Sequence, residues 1–300
     1  MTITPMTEFT FPDGCLPQDT LDIEAVELLE ASAVSFSTLY AAGDMPVLKW
    51  DDAFEQFLER RGSVLEDMLL DGSPLFPWTV WTKNVHTGNL YFSQGNTPSC
   101  MGHADDFAYR SSLLMSIGLG APLSWDETDP YQTWLLSKNG IARGGQSVGL
   151  MAQFANRSGH VLKGAKRASD RHQSAIVFLS GRDGELADKI CRCNRAGLGV
   201  VLGNSTAVNG SMLDKNNIQV ATFGGQWSHA TSFNAWMKRD GQEYVFWTNS
   251  HGKRYNKATL GEPGDGAWMR ADKELPAFLS TVPKYGQPYA CLSEGKMLRQ

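Results

Sequence analysis

The chain has 300 residues, a formal net charge of −5, and 42 % hydrophobic and 20 % charged residues. That length can bury a sizeable core, and the composition is globular, which excludes a disordered chain. A weak acidic excess with no lysine- or arginine-rich stripe argues against a nucleic-acid partner, and no apolar run reaches the roughly 18 residues of a membrane span.

The opening "MTITPMTEFTFPDG" lacks a basic stretch followed by an apolar run, so no secretory leader is expected. The five cysteines, Cys15, Cys100, Cys191, Cys193 and Cys291, are odd in number and irregular in spacing. They do not make a disulfide framework, and a reducing, cytoplasmic setting is the expectation. The asparagines of "NRS", "NST" and "NGS" match the glycosylation pattern but read as plain loop residues.

"TLDIEAVELLEASAVSFSTLY" predicts a helix capped by Asp19 or Thr20, with Leu21, Ile23, Val26, Leu28, Leu29, Ala33 and Phe36 as its apolar contacts. A second helix places Trp50, Phe54, Phe57, Leu58, Val64, Leu65 and Leu69 on one face, with Gly62 a point where it could break. "DGSPLFP", from Asp71 to Pro77, reads as a linker. Residues 1–75 are therefore expected to be a helical extension, structural, inhibitory or a docking surface for a protein partner. Residues 76–300 are expected to form the main domain.

From Trp78 onward aromatic residues and turn signals multiply. A helix is expected from Cys100 to about Ser116, another from Gly144–Ser147 to Gly159, and a third over "GELADKICRCNRAG", closed by Gly197. "SAIVFLSG" and "LGVVLGN" read as short strands, and two aromatic-rich runs flank a hairpin turn at Asp240-Gly241. Helices followed by strands indicate an α+β fold.

A thiolate nucleophile needs a helix N-terminus or a cation to favour its charge, hydrogen-bond donors for an oxyanion, and a base held by a third group. Cys100 stands at a helix start after "NTPS", and Gln94 precedes it by six residues. The candidate bases are His86, His103, His160, His172, His229 and His251. His103 is about a turn along the same helix and so conceivable. His229 opens the hairpin, and Asn249 lies on its returning strand, placed opposite about Ser232 if paired positions sum to roughly 481. An asparagine there can accept from an imidazole nitrogen and fix the ring.

Gln94, Cys100, His229 and Asn249, in that order, resemble the pattern of papain-like cysteine peptidases. "ARGGQSVGLMAQFANRSGHVL" resembles the double-glycine segment and helix of that family, and "GEPGDGAWMRA" its late glycine-containing strand. The resemblance covers about Trp78 to Arg270. It implies a two-subdomain α+β fold with a helical and an antiparallel β half, and a Cys100–His229–Asn249 triad with Gln94 at the oxyanion. It also implies that Gly144, Gly145 and Ala230 contact a peptide or protein substrate, and that no metal or cofactor is needed. One departure stands out: His251 occupies the position where the family has a tryptophan shielding the Asn–His bond, a task that Trp227 or Trp247 could take instead.

The other cysteines read as core residues. His172, in "KRASDRHQ", reads as part of a charged, solvated loop, and "CRC" with His172 lacks the second ligand pair of a zinc site. The same constellation would also serve an amidase, a peptidoglycan endopeptidase, a transglutaminase-like acyltransferase, or a non-catalytic component of an assembly.

Overall fold

The architecture follows from how three amphipathic helices and a long hairpin find partners. The structure is a computed structural model and describes residues 15–33, 46–84, 90–123, 125–164, 171–252, 255 and 260–293. Phe36 and His86 lie outside those residues.

Helix α1 (Thr20–Ala31) starts as expected, with the Asp19 carboxylate accepting the Asp22 N–H at 2.9 Å. Its buried face, however, is Asp22, Ala25, Val26 and Leu29, whereas Leu21, Leu28 and Ile23 are 63, 53 and 42 % exposed. The helix is rotated because its Asp22 docks on the start of α6 (Val148–Arg157), where its Oδ1 accepts the Leu150 N–H at 3.1 Å. A carboxylate there joins the Ser147 hydroxyl as an acceptor for this N–H and meets the positive end of the helix dipole. Gly149 makes room for this contact, since a Cβ there would collide with the Asp22 side chain and backbone.

Helix α2 (Asp52–Leu70), capped by Asp51, runs unbroken through Gly62, where the missing side chain admits the stem of Arg195. Val64 is 51 % exposed and not part of the buried face. Between the two helices, β1 (Val47–Leu48) pairs in parallel with β4 (Ala175–Phe178). This early stretch also feeds the interior. Cys15, Val26, Leu29 and Val47 share a core with Cys100 and Ala230, and Leu48, Phe54, Phe57 and Leu58 enter the core under the sheet.

The sheet has seven strands in the order β1-β4-β9-β5-β6-β7-β8, antiparallel throughout except for the β1–β4 pair and an additional parallel pairing of β6 with β8 at Val220 and Trp268. Strands β5 (Val200–Leu213), β6 (Gln219–Arg239) and β7 (Gln242–Thr248) are followed by β8 (Gly266–Arg270) and β9 (Tyr289–Leu292). The hairpin turn is where the sequence places it, with Asp240 and Gly241 both left-handed at φ 50° and 77°. β5 and β6 are far longer than the expected strands, and the first half of β6 precedes His229.

The helical half is built on α4 (Cys100–Gly118), which is buried at every residue from Cys100 to Ser116 and packs on β5, β6 and β9. A polar helix can be buried only if its polar groups are paired. Asp106 meets Arg110 at 2.6 Å, and Asp105 meets His160 at 2.8 Å while accepting from the Tyr289 hydroxyl at 2.7 Å. The Tyr109 hydroxyl lies 2.6 Å from His172 Nδ1. His172 is therefore not in a solvated loop. It is buried in β3 (Arg171–His172), which pairs with β2 (His160–Val161). The three sequon asparagines are not loop residues either: Asn156 is on α6, and Asn204 and Asn209 are on β5. The remaining helices are α3 (Pro77–Asn84), α5 (Pro130–Ser137), α7 (Asp183–Arg195) and α8 (Glu274–Leu279). The fold is α+β, with α4 to α6 massed on one side of an antiparallel hairpin sheet.

Candidate active site

Cys100 is the first residue of α4, and its Sγ accepts the backbone N–H of Ala230 at 3.3 Å. Ala230 follows His229 on β6, so the helical and β halves meet at this contact. His229 Nε2 lies 2.6 Å from Asn249 Oδ1. The Ser250 N–H also donates to that oxygen, at 2.8 Å, which identifies it as the acceptor end of the amide. His229 Nε2 is then a donor, and in the neutral ring Nδ1 carries the lone pair. Asn249 Nδ2 donates to the Tyr255 hydroxyl at 2.9 Å.

Gln94 joins the same chain of contacts. Its N–H donates to the Ser250 carbonyl at 2.7 Å, and its Oε1 accepts from the Ser250 hydroxyl. Its Nε2 donates one hydrogen to the Thr97 carbonyl at 2.7 Å. Gln94, Cys100, His229 and Asn249 are thus brought together, and all are buried.

The pairing of the hairpin differs from the expected one by a residue. Near the turn the positions sum to 481, as in Arg239↔Gln242 and Ala235↔Phe246, but beyond Asn234 the pairs are Phe233↔Trp247 and Ser232↔Thr248. Asn234 is the extra residue of a bulge, and its Nδ2 donates to Ser232 Oγ at 2.9 Å and Thr248 Oγ1 at 2.8 Å. Continued by one pair, this register sets Asn249 across from Thr231 and not Ser232. Residues 229 and 231 share a face of the strand, so the bulge is what turns Asn249 toward His229.

His251 stacks on the His229 ring, with centroids 4.3 Å apart and planes inclined by 19°. Trp227 lies against the same ring at 4.7 Å, and Trp247 meets the edge of Tyr255 at 5.2 Å. Both tryptophans considered from the sequence therefore stand around the His–Asn pair, one directly and one through Tyr255. His103 is turned to its own helix, its Nδ1 bonding the Ser99 carbonyl at 3.0 Å.

Burial pushes the Cys100 thiol up to about 12, partly offset by the Ala230 N–H. Burial also holds His229 well below the usual imidazole range, and the like charge of His251 adds to this while the Asn249 bond opposes it. Both shifts favour the uncharged forms, the thiol and the neutral imidazole.

Three neighbours had no signal in the sequence. Ser250 acts through Asn249 and Gln94, Tyr255 through Asn249, and Cys15 is 85 positions from Cys100. The Cys15 backbone lies between two elements of the site. Its N–H donates to the Ser228 carbonyl at 3.4 Å, its own carbonyl accepts from the Ser228 hydroxyl, and the Leu16 N–H donates to the Gln146 carbonyl at 3.1 Å. Cys15 and Gln146 form a parallel bridge. Gly144, with φ 65°, and Gly145 lead directly into Gln146, so this segment reaches the double-glycine stretch on one side and the residue before His229 on the other. The Cys15 Sγ lies 3.8 Å from Met101 Sδ and fills the space that a side chain on Gly203 would take. Ala230, Val148 and Tyr285 belong to the same apolar cluster.

No protein-family model matches the sequence, and no curated protein does. Solved structures similar to the chain include procathepsin B S9 from Trypanosoma congolense, 9 % identical over 74 % of this chain and 77 % of that one, with a TM-score of 0.47. Digestive procathepsin L 3 of the Tenebrio molitor larval midgut is 9 % identical over 91 % and 100 % of the two chains, with a TM-score of 0.46. Digestive procathepsin L2 proteinase of the same tissue is 13 % identical over 89 % and 99 %, with a TM-score of 0.44. Overlap of that extent carries no argument about chemistry. Among the described residues no helix is long and apolar enough to cross a membrane.

Proposed function

We propose that the chain is a papain-like cysteine peptidase that cleaves peptide or amide bonds by acyl transfer. The observation that carries this reading is the joining of Cys100 to the residue after His229 and of His229 to Asn249, on elements that are far apart in sequence. In the proposed reaction His229 Nδ1 takes the Cys100 proton and the sulfur attacks the substrate carbonyl. The Cys100 N–H and the second Nε2 hydrogen of Gln94 stabilise the oxyanion. His229 then passes its proton to the leaving amine, and water releases the acyl group. Asn249 holds the imidazole in the tautomer this requires. Gly144, Gly145 and Ala230 are assigned to substrate contact, and residues 15–18 to a covering segment that a substrate would displace.

A non-catalytic reading has one observation in its favour, the complete burial of Cys100. Labelling with an epoxide or iodoacetamide, combined with hydrolysis of a mixed peptide library, separates the two. Cys100 is expected to react faster than the other thiols once residues 1–16 are removed, and Cys100→Ala to abolish hydrolysis. Labelling no faster than an ordinary thiol, with hydrolysis unchanged in Cys100→Ala, would refute the peptidase.

A further inference from the structure

The end of α5 holds the loop that leads into α6. Lys138 is the C-cap of α5, and its Nζ donates to the Arg143 carbonyl and, at 2.8 Å, to the Gly144 carbonyl. Only the dihedral angles of Gly144 separate those two oxygens, and its φ of 65° is a left-handed value that glycine adopts without strain. An ammonium carries three hydrogens and can serve both carbonyls at once. Beside it, Gln146 Nε2 donates to the Ser137 hydroxyl at 3.1 Å and the Ser137 carbonyl at 3.4 Å. The Gln146 side chain is thus tied back to α5, while its backbone carbonyl accepts the Leu16 N–H at 3.1 Å. The loop is an edge on which extended backbone docks, and the Cys15–Gln146 bridge is that docking. The tether continues to the turn that carries Cys100. Lys138 Nζ lies over the Trp134 ring, 5.1 Å from its centroid. Trp134 is buried against Gly102, where a Cβ would stand 2.5 Å from the Trp134 Cβ. Gly102 is two residues after Cys100, in the first turn of α4.

We propose that Lys138 is a positioning residue: its ammonium fixes the 143–146 loop to the helix that packs on the Cys100 turn, and so sets where an extended chain docks relative to the thiol. Lys138 touches no reacting atom and acts through the two carbonyls it holds. Without that charge the loop carbonyls must find water, the left-handed turn at Gly144 loses its fastening, and the Gln146 carbonyl loses its fixed place. Docking of residues 15–16 on this edge is already present in the fold. That a substrate docks there in turn rests on the peptidase reading.

The test is hydrogen exchange of the full chain, read at the Leu16 amide by fragmentation mass spectrometry, with amides of the β5–β6 ladder around Val201 and Ser232 as the internal reference. Lys138→Met keeps the stem and removes the charge. It is expected to speed Leu16 exchange by about 10-fold or more, the size of one lost hydrogen bond to a charged group, and to leave the reference amides unchanged. Lys138→Gln should also speed it and serves if the Met variant does not fold. Lys138→Arg, which retains a cation with several donors, should bring Leu16 back to within about 3-fold of the original chain. Three results overturn the proposal. One is a change of less than about 3-fold at Leu16 in the folded neutral variants. Another is equal acceleration at Leu16 and in the ladder, which is the mark of a general loss of stability. The third is an Arg variant that exchanges as fast as the Met variant, since the charge would then not be the cause. Cys100 labelling and peptide hydrolysis test the peptidase reading, and neither enters the exchange measurement, so either reading can fail alone.

Discussion

Removing residues 1–16 should expose Cys100, and the size of the effect can be worked out. With its thiol pushed up to about 12, Cys100 is thiolate at roughly 3 parts in 100,000 at about pH 7.5, against about 1 part in 11 for an ordinary thiol near 8.5. That is a gain of about 3,000-fold in thiolate if burial is relieved. Intrinsic nucleophilicity falls with thiol pKa, which takes back roughly 30-fold and leaves about 100-fold in rate. The truncation keeps Asp19, the cap of α1, and Gln18, whose N–H bonds the Lys284 carbonyl at 3.0 Å. Iodoacetamide alkylation of Cys100, followed by mass spectrometry in both chains, measures the ratio, and thermal unfolding establishes that the shortened chain is folded. Equal alkylation rates in two folded chains would show that the Cys15 segment does not cover the thiol.

Other outcomes follow from contacts already described. Gly149→Ala should destabilise the chain by about 1–3 kcal/mol in urea unfolding, because its methyl group must displace Asp22 from the start of α6. His160→Ala should cost about 3–5 kcal/mol by the same assay, since it removes the imidazole from the buried Asp105 carboxylate and leaves it only the Tyr289 hydroxyl. Asp265 is raised to about 6 by burial. Its folded value thus exceeds its unfolded one, so the native state binds the proton more readily. Stability should therefore rise as pH falls from above 6 toward 4 and level off below that. Asp265→Asn should flatten this rise and add at most about 3 kcal/mol at about pH 7.5, seen as a higher melting temperature there but not at about pH 4.

The legible parts were those governed by local chemistry. The Asp19 cap, the start of α4 at Cys100 and the Asp240-Gly241 turn each depend on a few adjacent residues, and each is where the sequence puts it. What could not be read depends on distant partners. The face of α1 is set by Asp22 seeking the N-terminus of α6, a contact 128 positions away. The length of β5 and β6 was hidden because register shifts between Asn204 and Gly210 interrupt the alternation that marks a strand. His172 looked solvated because its neighbours are charged, yet Tyr109 draws its ring inward. The Gln94, Cys100, His229 and Asn249 positions were visible as an ordered set. Their hydrogen-bonded scaffold through Ser250 and Tyr255 was not, since neither residue type carries a signal of its own.

The extra residue at Asn234 gives the hairpin two zones with different tolerance for changes in length. Between the bulge and the turn, adding or removing a matched pair of residues, one from each strand, leaves the remote end of the ladder untouched. A substitution that draws residue 234 into the ladder opposite Trp247 would carry the outer register down to His229 and set Asn249 across from Ser232, on the opposite side of the sheet, with every side chain of the triad still present. A variant with an intact inventory of functional residues could thus be inert, and comparing such chains by residue identity alone would miss the reason.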